Sequence, residues 1–184
     1  MEGISRTRGW PVEIETMFLD GLILLVFPTL MAFAAASDLL TMTISNRVSL
    51  VLVAGFFVLA LAIGMNVTDV ATHAGAGFLV LAIAFGCFAC GWIGGGDAKL
   101  AASTALWLGF GQLLDYLLCA SLLGGVLTLL IIRFRVYPLP AVLVSQEWAV
   151  RLHRVDAGVP YGIALALAAL LVYPDSIWMK PFGP

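Results

Sequence analysis

Long apolar runs free of charge alternate along this chain with short polar breaks. The runs cover residues 21–37, 48–68, 70–96, 100–114, 116–132 and 157–174. A helix needs about 20 residues, and no fewer than about 17, to cross a hydrocarbon core. The pattern therefore predicts six transmembrane helices, the fourth being short. None of the runs shows the two-residue alternation of a membrane β-barrel strand. A further apolar stretch, 136–146, is too short to cross and carries Pro138 and Pro140. It reads as part of a loop lying on the membrane surface. The predicted fold is all-α: a polytopic membrane protein of six helices, with an interfacial loop between helices five and six. Residues 1–16 read as a flexible lead-in, 17–174 as the membrane domain with its loop at 133–156, and 175–184 as a tail. Met17 offers an alternative start. Glu13, Glu15 and Asp20 precede the first run where a secretory signal wants basic residues, so that run reads as a permanent span.

Composition agrees with this reading. The hydrophobic fraction is 62% and the charged fraction 11%, against roughly a quarter charged in soluble domains. Such a chain could not cover a water-facing surface, and disorder needs the opposite bias. A net charge of −2 gives no basic footprint for nucleic acid. The three cysteines make neither a disulfide framework nor a paired zinc knuckle, and no metal or cofactor is expected. With alternating spans, Arg47, Lys99, Arg133, Arg135, Arg151 and Arg154 fall on one side, and Arg6, Arg8 and Lys180 on the other. The larger set belongs in the cytoplasm. Both termini are then outside, which in a bacterial inner membrane means periplasmic. Most tryptophans and tyrosines lie near span ends and read as interfacial anchors.

The carboxylates sort by side. Asp20, Asp69, Asp115 and Asp175 fall at periplasmic ends and turns, where they read as topological, and Glu147 and Asp156 lie in the arginine-rich loop. Asp38 and Asp97 differ, since each terminates a long uncharged run on the cytoplasmic side. Taken singly, Asp38 could be a helix end reaching water, and Asp97 a cap for the next helix. Together they present two carboxylates at similar depth from different helices, and intramembrane acids point to function. Two carboxylates held close share one proton. The ionised one can take a proton from an attacking water while the protonated one donates to a peptide carbonyl. Gly94, Gly95 and Gly96 break the helix before Asp97 and would let a substrate backbone approach closely. Lys99 either adds to the local field or snorkels to headgroups.

Gly94-Gly95-Gly96-Asp97-Ala98-Lys99 resembles the GxGD motif of the type IV prepilin peptidases, membrane-embedded aspartic proteases. Asp38 with Ile44-Ser45-Asn46 is similar to that family's first motif, an aspartate followed by Ile-Pro-Asn, with Ser45 replacing the usual proline. Val159-Pro160-Tyr161-Gly162 resembles its late Pro-Tyr-Gly stretch. The resemblance implies Asp38 and Asp97 as the catalytic pair, supported by Asn46, Gly94, Gly95, Gly96, Lys99, Pro160 and Tyr161. It implies a prepilin substrate, with a short basic leader ahead of an apolar helix, cut at the cytoplasmic membrane edge. Long members carry an added region with two Cys-x-x-Cys pairs and also methylate the new N-terminus. Here the one such pair, Cys87-Phe88-Ala89-Cys90, lies in the third run. The chain thus resembles the short peptidases of Flp (tight-adherence) pilus systems, without methyltransferase activity. Three alternatives stand beside it. A small ion- or proton-conducting transporter would place its acids near mid-bilayer, often within internal repeats. A presenilin-like protease would set tyrosine beside its first aspartate, where Ser37 precedes Asp38. A noncatalytic pilus-assembly scaffold would tolerate loss of both carboxylates.

Overall fold

The computed structural model describes residues 10–179, with side chains from residue 21 onward. The segments expected to form the first part of the lead-in and the second half of the tail, with Arg6, Arg8 and Lys180, lie outside the described residues. Among the described residues the chain is all-helical, with no strand. The helices are α1 (Trp10–Thr41), α2 (Asn46–Ala62), α3 (Val67–Ala89), α4 (Gly95–Val136), α5 (Glu147–His153) and α6 (Tyr161–Val172), the last continued by a 3₁₀ turn, Tyr173–Asp175. Gly21–Thr41, Val67–Ala89 and Gly95–Val136 are long and apolar enough to cross a membrane.

α4 is not one rod. Gly109 sits at φ 66°, ψ −178°, a backbone region open essentially to glycine alone. The helix reverses there. The side chains of Thr104 and Tyr116 face each other, although twelve residues of straight helix would hold them about 18 Å apart. Residues 95–108 and 110–136 are therefore two arms of a hairpin. The break comes at Gly109, before Asp115, and the first arm takes in Asp97 and Lys99 at its start. Charge-free runs thus misplace both ends of this segment, because backbone conformation and not charge ends the helix.

The hairpin end of the bundle is locked by aromatic side chains with polar handles. Phe27 of α1 stacks on Tyr173 at 4.5 Å, and Trp107 packs against Trp178 at 4.9 Å. Trp107 Nε1 donates to the Leu52 carbonyl at 2.8 Å, Trp178 Nε1 to the Trp107 carbonyl at 2.8 Å, and the Tyr173 hydroxyl to Ile23 at 2.9 Å. Trp107 and Trp178 are core residues, contrary to the interfacial reading, because each indole N–H finds a carbonyl inside the bundle. His73 is also buried. Its Nδ1 pairs with the Leu106 carbonyl at 2.9 Å, and its ring fills the space a side chain at Gly109 would need.

At the opposite end, α4 runs on to Val136 and α5 forms within the expected loop 133–156. Ala149 of α5 is fully buried, so the segment is docked. All six basic residues of the described chain, Arg47, Lys99, Arg133, Arg135, Arg151 and Arg154, lie at this end, where α1 finishes and α2, α4 and α6 begin.

Gly109→Ala should lower the unfolding free energy in mixed micelles by about 1–3 kcal/mol, the cost of holding a side chain in that backbone region. Gly111→Ala, where a Cβ meets nothing within 4 Å and φ is not positive, should leave it nearly unchanged. Equal effects in a denaturant titration would contradict the hairpin.

Candidate active site

Asp38 lies in the last turn of α1 and is 5% exposed. Its Oδ2 accepts a 2.7 Å hydrogen bond from the Gly162 amide, one of the N–H groups that the start of α6 leaves without a helical partner. A bond to a carboxylate is about twice as strong as a neutral one. Gly162 must stay glycine for this contact, because a Cβ there would fall 2.8 Å from Asp38 Oδ2 and 2.6 Å from Ile44 Cδ1.

Asp97 occupies the third position of α4, with Gly94 as the capping residue. From that position its carboxylate turns back towards Gly94 at the start of the helix. A Cβ on Gly94 would lie 2.9 Å from Asp97 Oδ2. Gly96 faces Ile44, whose Cβ would be 3.2 Å from a side chain placed there. Ile44 is therefore wedged between the starts of α4 and α6 and sets the spacing of the elements that carry the two aspartates.

Both carboxylates line one cavity of about 880 Å³, close enough for their charges to interact. Gly94, Gly95, Gly96 and Tyr161 line it too, together with the exposed Trp92 and with Met42, which has φ 54°. A positive φ outside glycine is uncommon, and here it turns the chain sharply after α1. Asn46 and Lys99 stand beside the cavity, with Lys99 Nζ donating to Asn46 Oδ1 at 2.8 Å. Pro160 is buried behind it. The Tyr161 hydroxyl donates to the Ala120 carbonyl at 3.2 Å, and its ring fills the space over Gly124, pinning α6 to the second arm of α4. Gly111 and Gly125 face open space. Among the described residues, no three His, Cys, Asp or Glu side chains converge to hold a metal ion.

Ser45 departs from the expected proline without disturbing this turn. Its φ of −63° is the value a proline ring imposes. Its hydroxyl accepts from the Arg47 amide at 3.3 Å as the cap of α2, a bond proline could not make.

Two arginines that sequence reading treated as topological charges hold the site together. Arg135 Nε donates to the Leu152 carbonyl at 2.9 Å, and Nη2 to Ala157 and Gly158 at 2.9 and 2.8 Å. It gathers the segment that returns to Gly162. Arg151 Nη1 donates at 2.8 Å to the Leu40 carbonyl, in the last turn of α1 beside Asp38. A cation there complements the negative end of the helix. Their only sequence signal was their place in the arginine-rich loop expected at residues 133–156.

A model of the type IV leader peptidase family matches residues 25–129, more than half of the chain. The match includes both aspartates and ends before Arg135 and Pro160-Tyr161. No curated protein and no solved structure matches the chain.

Arg135→Met keeps an unbranched side chain but removes all three donors. Bonds from charged groups are worth about 1.5–3 kcal/mol each. The amides of residues 157–159, 161 and 162 should therefore exchange with deuterium at least about tenfold faster, while those of α3 stay protected. Unchanged exchange at 157–162 would show that the guanidinium does not hold this segment.

Proposed function

The chain belongs to the type IV leader peptidase family, and from that premise we propose that it is an aspartic endopeptidase using Asp38 and Asp97 to activate water. The observation that carries this reading is the shared cavity: carboxylates from two different helices, α1 and α4, line the same open space. One carboxylate takes a proton from water as the oxygen attacks the scissile carbonyl. The other donates to the carbonyl oxygen; as the C–N bond breaks, the first passes its proton to the leaving nitrogen and the second takes one back from a gem-diol hydroxyl, which restores the pair. The Gly162 amide holds Asp38 in one orientation, so the pair need not reorganise at each turnover.

The substrate in this reading is a prepilin with a basic leader followed by an apolar helix. Its scissile segment must leave the helix, because an intact helix hides its carbonyls in hydrogen bonds. Counting the arms of α4 separately, α1, α2, α3, the two arms and α6 make six crossings of a bacterial inner membrane. The basic residues clustered at the aspartate end support a reading in which that end faces the cytoplasm, where the leader resides, and both termini lie in the periplasm. That Cys87-Phe88-Ala89-Cys90, at the end of α3, is the one Cys-x-x-Cys of the sequence given supports processing of Flp-type prepilins, without methyltransferase activity.

Asp38→Asn and Asp97→Asn should each lower prepilin cleavage by about 10²–10⁴-fold, and the double variant should lose little more. Asp69→Asn and Asp115→Asn should remain close to the parent. Cleavage assayed in vesicles, with insertion verified, reads this. Substantial activity in either site variant would remove the dyad, and pilus assembly with both replaced would support a scaffold instead.

A further inference from the structure

The helices that carry the aspartates, α1 and α4, both pack on α2 and on α6, but their backbones barely approach each other. The spacing of Asp38 and Asp97 is therefore set through the helices between them. On the α6 side the Gly162 amide and the Tyr161 side chain supply the links. On the α2 side, among the described residues, two side-chain hydrogen bonds reach across from α4. Trp107 Nε1 donates to the Leu52 carbonyl at the packed end, and Lys99 Nζ donates to Asn46 Oδ1 at 2.8 Å at the aspartate end.

Lys99 stands two residues after Asp97, yet neither it nor Asn46 lines the carboxylate cavity. Its amine instead fastens the turn that follows Asp38. Gly96 and Lys99, three residues apart, share one face of α4. Ile44 and Asn46, two apart across the extended Ser45, lie on one side of the turn. The turn therefore runs along the start of α4 with two attachments, Ile44 on Gly96 and Asn46 on Lys99. The apolar contact sets how closely the two elements approach but does little against their separation. The charge-assisted hydrogen bond resists that separation. At its other end the turn is tied to Asp38 itself, whose carbonyl accepts from the Met42 amide at 2.8 Å.

We infer that Lys99 is a positioning residue: through Asn46 it holds the turn after Asp38 against α4 and so keeps the two carboxylates at working distance. It acts neither as a field on Asp97 nor as a headgroup anchor, the two roles its place in the sequence suggested. The effect on cleavage rests on the peptidase reading, and the effect on the turn rests on the geometry alone.

Cleavage of a synthetic peptide with a basic leader, a glycine and an apolar helix, followed in vesicles, tests this. Lys99→Met and Asn46→Leu should each lower kcat by about 10–100-fold, as misplaced reacting groups do, and leave KM within about twofold. The double variant should lose no more than about threefold beyond either single one, since both remove the same bond. Lys99→Arg and Asn46→Asp, which supply a donor and an acceptor again, should each recover cleavage to within about threefold of the parent. The pH–rate profile should keep its midpoints throughout. A field on Asp97 would instead displace the profile in Lys99→Met and spare Asn46→Leu, which keeps the charge. A headgroup anchor would spare Asn46→Leu as well. Turnover like the parent's in Asn46→Leu, or a profile displaced in Lys99→Met alone, would overturn the inference.

Amide exchange in the substrate-free protein adds a readout that needs no turnover. The Met42 amide and the Val48 amide, which donates to the Ser45 carbonyl at 3.0 Å, should exchange at least about fivefold faster in Lys99→Met and Asn46→Leu. Those of α3 should stay protected, and Asn46→Ala replaces any variant in which they do not. Unchanged exchange at Met42 and Val48 would overturn the tie. A parent protein that cleaves no peptide would instead overturn the peptidase reading, and the exchange would still report on Lys99.

Discussion

The 2.7 Å hydrogen bond from the Gly162 amide to Asp38 joins the start of α6 to the end of α1, across 124 residues of sequence. A carboxylate this deeply buried must find donors, and the donor here is a helix-terminal amide that has no other partner. Much of the surrounding structure serves to place that amide. Arg135 collects the segment leading to it, Arg151 secures the end of α1, Ile44 spaces α4 from α6, and Tyr161 pins α6 to the hairpin. None of these side chains needs to touch a substrate for its loss to disturb the site.

The two ends of the bundle have opposite physical character. Around Trp107, large rings fill space and their N–H and O–H groups are satisfied by carbonyls of neighbouring helices. Around Asp97, glycines leave space unfilled, and at Gly94, Gly96 and Gly162 a single methyl group would meet a carboxylate or Ile44. A packed half fixes where the helices point, and a sparsely filled half leaves room for a peptide backbone. The same division explains why the 880 Å³ cavity forms at the aspartate end.

The helical class and the existence of most segments were legible in the charge-free runs, because charges are expelled from hydrocarbon whatever the packing. Asp38 and Asp97 were legible for the same reason, as the acids that close long apolar runs on one side. The reversal at Gly109 was not, since a glycine amid apolar residues is equally compatible with close helix packing, and only its backbone angle distinguishes the two. Trp107 and Trp178 could not be assigned to the core without knowing that carbonyls wait for their indoles. Arg135 and Arg151 were hidden because their partners are backbone carbonyls, which have no sequence signature. Ser45, which departs from the family pattern, proves to hold the proline-like angle.

Binding of an uncleavable peptide tests the proposed chemistry most directly. A prepilin-like peptide with a hydroxyethylene group in place of the scissile amide carries the tetrahedral hydroxyl that the two carboxylates are proposed to grip. Its affinity for the parent protein and for the Asp38→Asn and Asp97→Asn variants can be compared with that of the same peptide bearing an ordinary amide. The account predicts that the isostere binds the parent at least about 100-fold more tightly than the amide peptide, and that either variant erases the advantage while still binding the amide peptide. Equal affinity of isostere and amide for the parent, or an advantage that survives loss of either carboxylate, would contradict it.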